Sequence, residues 1–150
     1  CSIIYAEAPL YNYVLDIIYT KQSMEITEQM VAKAHTRWKV QEAIIESNNG
    51  GRGFRRNVET ACRRLGNYVT NFTDFHQSVN KETRILTNSG KLQNMVLFPI
   101  NWEHIYTEFH RDLMGYNKVG KNAHDDAPDA LTGTIEHREK QTMDVDGVFF

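Results

Sequence analysis

A chain of 150 residues, 41% apolar and 24% charged, is long enough for one ordinary soluble core and too short for two independent ones. Its formal charge of −2 excludes a nucleic-acid protein recognised by bulk basicity, so any polyanion must meet a local basic patch. Two cysteines, Cys1 and Cys62, make neither a disulfide framework nor a zinc set. No stretch approaches the roughly 20 apolar residues of a membrane span, and no secretory signal opens the chain, so the expectation is a soluble cytosolic protein.

The chain opens directly on an apolar segment at Cys1 and reads as a piece of something longer. Ser2 to Ala8 and Asn12 to Tyr19 are rich in Ile, Val and Tyr and are separated by Pro9, Leu10 and Tyr11, which predicts an antiparallel hairpin. From Thr27 the period becomes helical, with Met30, Val31, Ala34 and Trp38 on one face, Thr27 as the capping candidate and Glu28 in the first turn. Ala43-Ile44-Ile45 predicts a short buried strand with Glu46 at its carboxyl end, where open α/β sheets gather ligands. Ser47-Asn48-Asn49-Gly50-Gly51 is a dense turn signal.

An amphipathic helix follows, with Phe54, Val58, Ala61, Cys62 and Leu65 inward and Arg52, Arg55, Arg56, Arg63 and Arg64 on a basic side. Tyr68 to Phe72 is the next candidate strand, and Asn80 to Ile85 looks like a capped helix start. Met95 to Phe98 reads as a strand stopped by Pro99, before a helical stripe of Trp102, Ile105, Tyr106, Phe109 and Leu113. A polar loop, Gly115 to Ala123, carries Lys118 and Lys121. The segment from Glu136 onward is charged and expected to be peripheral, its Val148-Phe149-Phe150 end either docking on a neighbour or simply terminal.

Chemistry concentrates in His124-Asp125-Asp126-Ala127-Pro128-Asp129-Ala130-Leu131, three carboxylates and an imidazole within six positions at the mouth of a helix. Such a cluster repels itself unless a cation sits in it, and Mg²⁺ or Mn²⁺ is the usual remedy because hard cations prefer anionic oxygen ligands. Asp126 could equally be an N-cap with Asp129 three positions on and Pro128 in the first turn. The two readings are compatible, since a helix start also orients acidic side chains. Glu46 is the natural second wall: an acid at a strand end and acids at a helix start can share a sheet edge. Two metals about 3.5 to 4 Å apart there would drive phosphodiester hydrolysis. The glycine-rich turn would let a phosphate backbone approach, and Arg52, Arg55 and Arg56 offer phosphate contacts, although they also suit a solvated charged face.

Three stretches in order, Glu46-Ser47-Asn48-Asn49-Gly50-Gly51-Arg52-Gly53-Phe54, Asn80-Lys81-Glu82-Thr83-Arg84-Ile85 and His124 to Leu131, together resemble the C-terminal nuclease domain of tailed-phage terminase large subunits. The resemblance covers nearly the whole chain. It implies an α/β, RNase H-like fold with a central mixed sheet flanked by helices, forming a single nuclease domain over residues 1–150. The implied activity is a two-metal, Mg²⁺- or Mn²⁺-dependent endonuclease that cuts concatemeric viral DNA in the bacterial host cytoplasm.

Carried over by residue, Glu46 matches the second acid, Asp129 the third and Asp126 its metal-binding neighbour, with Asp125 behind them as a further metal ligand. Asn48, Gly50, Gly51, Arg52, Arg55, Arg56, Lys81 and Arg84 are the expected DNA contacts. The implied partners are double-stranded DNA and, in the whole protein, an ATPase motor, a small terminase subunit and a portal; no Walker motif occurs here, so the motor is absent from this chain. One departure is large: the family's first acid lies on an opening strand ahead of the hairpin, and neither Asp16 nor Glu7 replaces it, so the fold is expected to lack its first strand and to be weak or dead as a nuclease. A silent DNA-binding or docking module and another nuclease of the fold, such as a junction resolvase, are the alternatives.

Overall fold

The computed structural model describes residues 1–117, 122 and 124–146, without the side chains of residues 49 and 142–146. Lys118, Lys121 and the Val148-Phe149-Phe150 end lie outside the described residues. The chain is mixed α/β, and it divides into two compact units, Cys1–Tyr19 with Val79–Phe150, and Thr20–Ser78. Each has its own sheet: a small mixed sheet of three strands flanked by helices in the first, and a two-stranded parallel pair in the second, where one central sheet was expected.

In the first unit, β1 (Ser2–Glu7) and β2 (Asn12–Ile18) form the expected antiparallel hairpin, and β5 (Val96–Leu97) pairs parallel to β2. The register slips between Ile4, which pairs with Asp16, and Tyr5, which pairs with Val14. One extra residue in β2 breaks the period of two, which is why Val14 and Ile17, three apart, are both buried. Around them pack Val96, Phe109, Ala127, Leu131 and Ile135.

The helices of this unit are α3 (Lys81–Met95), α4 (Trp102–Ile105), α5 (Thr107–Met114) and α6 (Asp126–Asp146). Met95 closes α3 instead of opening a strand. The predicted stripe from Trp102 to Leu113 breaks at Tyr106, whose backbone leaves the helical region and whose hydroxyl donates to Asp16 Oδ1 at 3.2 Å. Trp102 stacks on Phe98 with 4.0 Å between ring centroids.

The segment after Glu136, expected to be peripheral, continues α6 as far as Asp146, and Glu136, Arg138 and Glu139 find partners on other elements. Ala127, Leu131 and Ile135, four apart, are buried, and past them the charged residues bind back. Arg138 donates to Asn12 Oδ1 at 2.9 Å and to the Pro9 carbonyl, while the fully buried Asn12 donates to the Thr134 carbonyl at 3.2 Å. Lys91 pairs with Glu139. Among the described residues no helix is long and apolar enough to cross a membrane.

In the second unit, α1 (Met24–Trp38) packs on α2 (Gly51–Arg64), burying Val31, Ala32 and Ala34 against Val58, Ala61 and Cys62. Ser23 occupies the cap position of α1, and Thr27 lies inside the helix, its hydroxyl donating back to the Ser23 carbonyl at 2.9 Å. β3 (Glu42–Glu46) pairs in parallel with β4 (Asn71–Phe75), three residues later than the predicted Tyr68 start. Asn67 explains the shift: its Oδ1 accepts from the Val69 and Thr70 backbone N–H groups, a side-chain turn that holds Tyr68 and Val69 in solvent. Leu65, expected inward, is also exposed at the end of α2.

His35 on α1 lies buried against the Phe72 ring, and its Nδ1 has no hydrogen-bond partner among the described residues. Burial lowers its pKa to about 4. Because the unfolded chain binds a proton that the folded chain refuses between that value and the ordinary imidazole value near 6.5, stability falls as pH drops through this window. The expected loss is about 3 kcal/mol between pH 6.5 and 4. Denaturant melts across this range should show it, and His35→Leu should flatten the His35 part of the slope; an unchanged slope would contradict the assignment.

Candidate functional site

Two helix starts meet in the first unit. Asn80 caps α3, its Oδ1 accepting from the Thr83 backbone N–H at 3.2 Å, so Lys81 and Arg84 fall three apart on one face of the first turn. On α6 the Asp125 carbonyl accepts from the Asp129 N–H at 3.0 Å, so the helix begins one residue earlier than a cap at Asp126 would set it. Asp126 and Asp129 are then first-turn acids, where the helix dipole favours negative charge.

The three carboxylates converge on one cationic nitrogen. Lys81 Nζ lies 3.1 Å from Asp125 Oδ1, 3.1 Å from Asp126 Oδ1 and 3.5 Å from Asp129 Oδ2. Partial burial alone would lower the Lys81 pKa. Hydrogen bonds to Asp126 and Asp125, with the charges of Asp129 and Asp125, outweigh burial and raise it, so the ammonium stays charged.

Arg84, expected to meet phosphate, is 6% exposed and faces inward. Its Nε donates to Glu136 Oε1 at 2.9 Å and Oε2 at 3.1 Å, its Nη2 to Oε2 at 2.6 Å, and its Nη1 to Asp129 Oδ1 at 2.7 Å. A planar guanidinium suits this fork, since one edge engages a carboxylate bidentately while the remaining nitrogen reaches another.

Beside these acids sits a group that the sequence did not disclose. Asp112 on α5 is buried, accepting from the Tyr19 hydroxyl at 2.8 Å and Arg111 Nε at 2.9 Å. The Arg111 hydrogen bond, ahead of the one from Tyr19, holds its carboxyl below the usual range, and His124 adds to the effect. Burial, then the Asp112 carboxylate and the charge of Asp126, push the Tyr19 phenol up. The available signal was an acid next to Leu113, the last residue of the predicted apolar stripe.

In the second unit, Glu46 ends β3, exposed and in register with Phe75. The turn after it is a 3₁₀ segment, Asn48–Gly50, running straight into α2. Asn48 Nδ2 donates to the Gln77 carbonyl at 2.9 Å. Gly50 has a φ of 92°, in the left-handed region. Arg55 Nε lies 3.4 Å and Arg52 Nε 3.6 Å from Asp74, and Arg55 also pairs with Glu59, so two of the expected phosphate ligands already have carboxylate neighbours. Arg56 is exposed.

Among the described residues no group of three or more His, Cys, Asp or Glu side chains is arranged to hold a metal ion. The donor set of Asp125, Asp126 and Asp129 nevertheless fits a hard divalent cation in kind: anionic oxygens, already gathered around a positive charge. The ammonium holding that position is on a flexible, partly exposed stem. The chain matches no protein-family model, no curated protein and no solved structure.

The glycine turn gives a test of its own. A Cβ on Gly51 would lie 1.7 Å from the Glu46 carbonyl oxygen, whereas one on Gly53 meets nothing within 4 Å. Gly51→Ala should therefore destabilise the protein by about 1–3 kcal/mol, as overpacking does. Gly53→Ala, inside α2, should stabilise it by roughly 0.5–1 kcal/mol. Equal melting temperatures for the two variants would contradict the close approach at Gly51.

Proposed function

We propose that the chain is a divalent-metal-dependent DNA endonuclease domain of RNase H-like, terminase type, with its cation centre at Asp125, Asp126 and Asp129. The observation that carries this reading is the convergence of these three carboxylates on one cationic nitrogen at 3.1 to 3.5 Å. The mixed α/β architecture and the order of the Glu46, Lys81 and Asp126 stretches along the chain support it. On this reading its substrate is concatemeric viral double-stranded DNA in the bacterial host cytoplasm. Its partners in a whole terminase are an ATPase motor, a small subunit and a portal.

The three Asp side chains would hold Mg²⁺ or Mn²⁺, which supplies an activated water and neutralises charge at the phosphate. Lys81, released from its carboxylates, is within the same cluster and available to a phosphate oxygen as a point charge. The exposed Arg52 and Arg56 suit backbone contacts, which position a duplex without reading its sequence. The resemblance assigns Glu46 the part of a further acid.

A second reading has its own observation: Lys81 and Arg84 already pair with all three carboxylates, as they would in a silent DNA-binding or docking module. Plasmid nicking with Mn²⁺ or Mg²⁺ separates the two. For a chain that also carries the family's first acid, the nuclease reading expects metal-dependent nicks that Asp129→Ala or Glu46→Ala reduces to background. The silent module expects no cleavage and a DNA affinity falling linearly in log[salt]. Nicking undiminished in EDTA would exclude the metal centre, and preference for branched over linear DNA would point to a resolvase.

A further inference from the structure

We infer that the second unit binds a single-stranded nucleic acid, with Tyr68 as a stacking platform for an unpaired base and the exposed row of α2 as the track for its phosphates. The inference goes beyond the endonuclease reading and needs neither a cation nor cleavage. Within Thr20–Ser78 basic side chains outnumber acidic ones nine to six, although the whole chain carries a formal charge of −2. A polyanion therefore meets its complement in this unit.

α2 sorts its arginines into two sets. Arg55 and Arg63 are paired with Glu59, which lies between them. Arg52, Arg56, Thr60 and Arg64 are exposed at four-residue intervals, a row that advances about 6 Å per position, comparable to the step between phosphates of an extended strand. Arg52 approaches Asp74 at 3.6 Å yet keeps 76% of its side chain exposed.

Beyond the end of this row the chain presents Tyr68, 74% exposed. A single ring in solvent is ordinary, but this one is held there. Asn67 and Thr70 around it are buried; Asn67 Nδ2 donates to Thr70 Oγ1 at 2.8 Å, and that hydroxyl donates to the Val40 carbonyl at 2.7 Å. Arg63 Nη1 donates to the Asn67 carbonyl at 3.0 Å, and Arg63 Cζ lies 5.6 Å from the Tyr68 ring centroid. The guanidinium covers one side of a ring whose exposure leaves it open to a second partner. A held aromatic beside a basic row suits the bases and phosphates of one strand, whereas a duplex keeps its bases stacked on one another.

Fluorescence anisotropy in EDTA measures binding of labelled oligothymidine, of an oligothymidine–oligoadenosine duplex and of polyglutamate to the full chain. The variants are Tyr68→Ala, Tyr68→Phe and the double replacement Arg56→Ala with Arg64→Ala. All three positions are exposed, so the fold should survive, and thermal unfolding is followed alongside.

The expected result is oligothymidine binding that Tyr68→Ala weakens roughly 10–100-fold and Tyr68→Phe preserves, with any duplex binding unchanged by either. The double replacement should flatten the slope of log affinity against log[salt] by about 1.4, the value of two phosphate contacts on a single strand. No binding of oligothymidine, undiminished binding by Tyr68→Ala, or an equal loss on the duplex would overturn the inference. Tighter binding of polyglutamate would overturn it too, by assigning the surface to an acidic protein. With divalent cations absent throughout, none of these outcomes bears on the metal centre proposed above.

Discussion

Three carboxylates at the start of one helix cannot stay together without positive charge, and this repulsion organises the first unit. Asp125, Asp126 and Asp129 cannot be spread apart, because α6 buries Ala127, Leu131 and Ile135 on the same turns. The cations come from α3, whose capped start presents Lys81 and Arg84 on one face. Unlike charges a few ångströms apart at partly exposed positions attract by a few kcal/mol at most. Removing one partner of a buried group such as Arg84 costs more, since it strands charge away from water.

The two cations have different characters. Arg84 is buried and forked, so it behaves as a fixed part of the fold. Lys81 is partly exposed on a flexible four-carbon stem. The cluster is thus partly neutralised by one buried and one partly exposed cation. The Lys81 proton is not lost near neutrality, because hydrogen bonds to Asp126 and Asp125 outweigh burial and keep the ammonium charged.

What was legible in the sequence was local. The hairpin, the Asn80 cap, the strand before Glu46 and the acidic start of α6 each follow from a few neighbouring residues, and each is present. What escaped depended on groups remote in the chain. Nothing in Asn80 to Ile85 says that Arg84 will face Glu136, 52 residues away, and a lone arginine in a basic-looking stretch is naturally read as a phosphate ligand. The displaced start of β4 was decided by the Asn67 side chain capturing two backbone N–H groups, which hydrophobic patterning over Tyr68 to Phe72 does not register.

The charged stretch after Glu136 was misread for a related reason. Charge pattern says that a segment prefers water, but it does not say whether partners wait on adjacent elements. Here Glu136, Arg138 and Glu139 each find one, in Arg84, Asn12 and Lys91, and the apolar stripe before them has already fixed the direction of the helix. The same residues therefore prolong α6 and hold its first turn against α3. Glu136, seven positions beyond Asp129 on the same helix, shares one arginine of α3 with that first-turn carboxylate, which links the length of α6 to the chemistry proposed at its start.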